Sequence, residues 1–149
     1  MRTKTNRTIY PYLAYSGAIP FIFCAISLWS NTESIPFLGS VEKLLSAYGL
    51  LISSFLAGAH WGQHLNLQVG SLRHTLAILS NVVAISLWIA YLVLPFNILI
   101  MVFAGVFTAL LFIDYRLFQL KVITPHYFRT RCLVSTIVIA SLIISGIVS

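Results

Sequence analysis

Charge is what this sequence has least of. Only 8% of its 149 residues are Asp, Glu, Lys or Arg, and the acids number three. A water-soluble domain carries about a quarter charged residues, so this chain lacks the polar surface to coat a globule in water. Cysteine is scarce as well. Cys24 and Cys132 sit inside or beside apolar runs with no neighbouring ligand, which excludes a disulfide framework and speaks against a thiolate metal centre. The net charge of +6 comes from basic residues that fall between hydrophobic stretches. They read as topology signals and not as a phosphate-binding patch, so no nucleic-acid partner is expected. A phosphate loop, a dinucleotide fingerprint, a nucleophile–base pairing and an internal repeat are all missing.

What is abundant is apolar sequence, at 59% of the chain and in long unbroken runs. In lipid only helices and closed barrels satisfy the backbone, and unbroken runs without alternation select helices. The expected fold is all-α: a single polytopic membrane domain over 1–149 with the bilayer as its first partner. Its spans are predicted at about 9–29, 42–65, 75–94, 98–120 and 132–148. The basic N-terminus followed by an apolar run resembles a signal peptide, but the run reaches Trp29 without a clear small-x-small site. An uncleaved first span is expected.

Orientation follows from the basic residues. With the N-terminus cytoplasmic, the inner segments hold Arg2, Lys4, Arg7, Arg73, Arg116, Lys121, Arg129 and Arg131, eight of the nine, and leave only Lys43 outside. That asymmetry predicts N-in, C-out.

Within the spans, Pro20 should kink the first helix as a packing feature. Ser54, Gly58 and Gly62 recur every four residues on the second, a stripe that lets a neighbouring backbone approach. His60 points about 200° away from Gly58 and shares its face with Leu56, Gln63 and His64. By rise per residue, His60, Asn81 and Asp114 lie within about 10 Å of the cytoplasmic boundary, Tyr15 and Ser16 lie at a similar depth, and Arg131 opens span five there. Each of the five helices would then bring a polar group to one shallow layer. Asp114 is the only carboxylate inside a span, and its helical neighbours Leu110, Leu111, Leu117 and Phe118 cannot offset its charge. A partner from another helix is required, and Arg129 or Arg131 is favoured over His60 and Arg73. The bland alternative is an ion pair that merely pins helices. His60 and His64 have the spacing of a two-point metal site, but position 61 is Trp where a zincin needs Glu. No metal and no cofactor are expected.

The run Ser54-Phe55-Leu56-Ala57-Gly58-Ala59-His60-Trp61-Gly62 resembles the S-F-L-x-G-x-H-W-G signature of the transmembrane protein 69-like family, a bacterial and mitochondrial domain of unknown function. Gly17-x-x-Pro20, Asp114-x-Arg116 and the basic run entering the last span are similar to its other recurring features. Ala57 and Ala59 are minor departures. The resemblance covers nearly the whole chain and implies a small multi-span protein of the bacterial or mitochondrial inner membrane. It implies no activity.

Three functional classes follow. The first is a non-enzymatic accessory or assembly subunit in a larger membrane complex or homo-oligomer, with Ser54, Gly58, Trp61 and Gly62 as its docking face. The second is a small transporter or channel for a proton, metal ion or polar solute, using His60, Asn81 and Asp114. The third is an intramembrane enzyme, or a binder of a lipid head group or quinone, held by Arg116, Arg129 and Arg131.

Overall fold

The computed structural model describes residues 9–63 and 71–149. Five helices fill almost all of it: α1 (Tyr10–Trp29), α2 (Val41–Gln63), α3 (Ser71–Val93), α4 (Phe96–Gln119) and α5 (Pro125–Val148). All five are long and apolar enough to cross a bilayer. A helix suits that setting because lipid offers the backbone no hydrogen-bond partner and a helix satisfies its own. A two-stranded hairpin joins the first two, with β1 (Ser34–Ile35) antiparallel to β2 (Gly39–Ser40). Its tight loop places Phe37 and Gly39 at positive φ, and the Phe37 ring is fully exposed.

The helix ends are written in local chemistry. Pro11 lies in the first turn of α1, and Pro95 is the N-cap of α4. At α5 the Oγ1 of Thr124 accepts a hydrogen bond from Tyr127 N–H (3.3 Å) and Pro125 fills the first position, a favoured start because proline has no N–H to leave unpaired. The fifth helix therefore begins at 125, ahead of the span expected from about 132. The segment that carries His126, Arg129 and Arg131 is helix and not loop. Pro20 sits inside a continuous α1.

Helix α5 packs against α1 and α4, α2 touches α1, α3 and α4, and α3 lies outermost, held mainly by α2. The core fills the space between α1, α2, α4 and α5 with Phe21, Leu45, Phe103, Phe107, Val138 and Leu142. Phe21 meets Phe107 edge-on, with centroids 5.8 Å apart, and Tyr48 at 5.1 Å. The Tyr48 hydroxyl donates to the carbonyl of Gly17 (3.0 Å), tying α2 to α1. Two glycines mark close approaches. A Cβ on Gly49 would lie 2.7 Å from the Phe103 ring, and one on Gly146 would lie 2.7 Å from the methyl of Met101. The expected stripe behaves otherwise: a Cβ on Gly58 or Gly62 meets nothing within 4 Å. Among the described residues, those two glycines do not bring helices together.

Candidate functional site

At the end of the bundle where α1, α3 and α5 begin and α2 and α4 finish, three helices each contribute one buried charged or ionisable side chain. His60 comes from the last turn of α2, Asp114 from the penultimate turns of α4 and Arg131 from the second turn of α5. Asp114 is fully buried, and His60 and Arg131 are each 4% exposed. His60 Nε2 lies 2.8 Å from Asp114 Oδ1, and Arg131 Nε donates to Asp114 Oδ2 at 2.9 Å. The carboxylate thus has one partner on each oxygen, drawn from different helices. This is the compensation that a carboxylate in a low-dielectric layer requires.

The second ring nitrogen fixes the proton count. His60 Nδ1 is 3.0 Å from the carbonyl oxygen of Leu56, one turn back on α2. A carbonyl only accepts, so Nδ1 carries a hydrogen and donates it. Nε2 then faces Asp114 in one of two ways. As an imidazolium it donates to the carboxylate; as a neutral ring it accepts from a carboxylic acid. Both arrangements hold one proton between Nε2 and Oδ1. Counting Arg131, the cluster carries one net positive charge either way. The other neutral tautomer would set the bare Nδ1 lone pair against the Leu56 oxygen, at the cost of a buried bond.

Around this centre the polar groups divide into satisfied and orphaned. On α5, Thr130, Thr136, Ser141 and Ser145 each donate to the carbonyl four residues earlier, the usual solution for hydroxyls in lipid. Ser53 Oγ on α2 and Ser135 Oγ, one turn beyond Arg131 on α5, are buried without a partner. So is Nη2 of Arg131. One turn the other way from Arg131, Tyr127 stacks on Tyr10 of α1 with centroids 4.7 Å apart. That stack ties the start of α1 to the start of α5.

Not every residue expected in the layer is there. Asn81 is exposed on α3 and spends its amide N–H on its own helix, donating to Ala77 O (2.9 Å). Tyr15 is exposed, and the Ser16 hydroxyl donates to Leu13 O within α1. Arg116 and Arg129 are exposed on α4 and α5. Three helices meet in the polar cluster, not five, because depth along a helix says nothing of the direction a side chain takes around it. Trp61 is 45% exposed beside the outward-facing Gly58. Ser54 is half-buried on α2, and His64 lies outside the described residues. Among the described residues no three His, Cys, Asp or Glu side chains group as metal ligands. Sequence reasoning missed Tyr10, Tyr127 and Ser135. Only the spacing of Tyr127, Arg131 and Ser135 on one face of α5 signals them, and it emerges once the helix is known to start at 125.

No curated protein and no solved structure matches the chain. Residues 6–147 match a family described as Protein of unknown function (DUF3429), and with nearly its whole length covered the chain belongs to that family.

Proposed function

We propose that this protein is a non-enzymatic accessory or assembly subunit of an inner membrane, bacterial or mitochondrial, oriented N-in and C-out, and that it is of the transmembrane protein 69-like kind. One observation carries the reading. The buried Asp, Glu, His, Lys and Arg side chains among the described residues are His60, Asp114 and Arg131, and they are turned on one another to hold α2, α4 and α5 together. A substrate path would need such groups open to water; a scaffold needs them closed. Further support comes from α2. Gly58 and Gly62 offer a neighbouring backbone close access, and no element among the described residues takes it. With Ser54 and Trp61 they form the docking face for a larger membrane complex or a second copy.

The test is native electrophoresis of the tagged chain extracted in mild detergent from its own membrane. The expected result is an assembly well above the 16.6 kDa of the chain, which Gly58→Leu with Gly62→Leu dissolves while the helical content stays. Migration as a monomer, unchanged by those substitutions, would overturn the proposal. The second reading, a proton transporter, draws on the proton shared by His60 and Asp114. It predicts flux into proteoliposomes that Asp114→Asn abolishes.

A further inference from the structure

Beside the polar cluster, a cleft of about 210 Å³ opens between α1, α2 and α5, lined among others by Ala14, Gly17, Phe55, Arg131, Val134 and Val138. Its walls are apolar, with one charged side chain, Arg131, at the end nearest the cluster. Phe55, on its lip, is 69% exposed on the outer face of the bundle, where lipid lies. Gly17 keeps its floor open, since a Cβ there would meet nothing within 4 Å.

We propose that this cleft binds one anionic amphiphile from the bilayer, its acidic head on Arg131 and its chain along Gly17 and Val138. Three facts converge on that chemistry. Arg131 is buried, lines the cleft, and its Nη2 has no hydrogen-bond acceptor among the described residues. Both N–H groups on that nitrogen are strong donors suited to a carboxylate or phosphate oxygen. With His60 Nδ1 donating to Leu56 and both Asp114 bonds made, the cluster behind it carries one net positive charge. An unbalanced charge in a low-dielectric site is costly, and an anion beside Arg131 balances it. Depth agrees: Arg131 lies about 9 Å along α5 from its first residue, near the head-group boundary, and Val138 lies two turns further into the apolar layer. A neutral head group such as a quinone carbonyl would supply an acceptor and leave the charge unbalanced. The cleft shares α2 and Arg131 with the features behind the accessory-subunit reading, but Gly17 lies on α1 outside both, so loss of the adduct in Gly17→Leu and loss of the assembly in the Gly58→Leu, Gly62→Leu variant are read separately.

The test is native mass spectrometry of the full chain, delipidated in detergent and then offered phosphatidylglycerol, phosphatidylcholine, oleate or ubiquinone separately. The expected result is a one-to-one adduct with an acidic lipid, at least about tenfold more occupied than the phosphatidylcholine adduct, equivalent to ~1.4 kcal/mol. An adduct with phosphatidylglycerol identifies a phosphate head as the source, and one with oleate identifies a free fatty acid. Gly17→Leu fills the cleft without touching the cluster and should remove the adduct while leaving the thermal transition in place. Equal binding of phosphatidylcholine, binding of ubiquinone alone, persistence of the adduct in Gly17→Leu, or no adduct at all would each overturn the proposal.

Discussion

A carboxylate survives in a bilayer only when its charge is answered, and Asp114 is answered twice, by His60 on one oxygen and Arg131 on the other. Removing it alone leaves a buried guanidinium and a ring nitrogen without their partner, the expensive way to break such a group. Asp114→Ala should therefore lower stability by about 3–5 kcal/mol, measured by SDS-titrated unfolding of the reconstituted protein. Pairing Asp114→Leu with Arg131→Met takes both charges out together and should recover a large part of that loss. Additive losses in the double variant would show that the pair is not a clamp. The proton count has its own check. Nitrogen NMR of the ring should read His60 Nδ1 as N–H, because it lies at bonding distance from the Leu56 carbonyl, which only accepts; a bare Nδ1 would remove the extra charge from the cluster. The need for a cross-helix partner to Asp114, and Arg131 as a candidate for it, were legible in the sequence, since a lone carboxylate among leucines poses the question by itself. Asn81 was misplaced because the apolar run around it gives a depth and no direction. The buried face of α3 runs through Leu76, Ser80 and Leu87, and Asn81 is about 100° off Ser80.

For whole elements, hydropathy located all five long apolar helices, and the differences lie at the ends and the contacts. Three basic or titratable residues near Pro125 looked like an interfacial loop, yet Thr124-Pro125 is itself a helix start. Reading it so shifts Arg131 from the mouth of the last helix to its second turn, deep enough to reach Asp114. The glycines of α2 pose a related question. Four-residue spacing marks a smooth face and cannot say whether a helix of the same chain fills it. In α2 the filled position is Gly49, under the Phe103 ring, and the stripe of Gly58 and Gly62 is open. Gly49→Ala should force the ring or the helix aside and cost about 1–3 kcal/mol. Gly58→Ala should be neutral or slightly stabilising, because alanine favours helix and nothing stands in its way. Unfolding of the two variants side by side decides the matter. Equal stability would mean that α2 and α4 are not in contact at Phe103.

The molecule as a whole has two unlike ends. One holds the ion cluster, the Tyr10–Tyr127 stack and the exposed Arg116 and Arg129. The other holds the hairpin with its exposed Phe37, and Glu42 accepting a hydrogen bond from the Ser149 hydroxyl. Basic residues facing the cytoplasm orient multi-span chains, so this polarity predicts the first end inside and the second outside. A C-terminal alkaline phosphatase fusion should then be active and a C-terminal fluorescent-protein fusion dark. Moving the basic residues is the sharper experiment. Arg116→Gln with Lys121→Gln and Arg129→Gln leaves the buried Arg131 clamp intact and strips exposed charge from the end that holds the cluster. If charge sets the orientation, adding two lysines to the Phe37–Leu38 turn in that background should give a mixed population, read as partial activity of both fusions. A full phosphatase signal that ignores both changes would place the determinant elsewhere, in the buried cluster itself, whose arginine cannot cross the apolar layer once α2, α4 and α5 have closed around it.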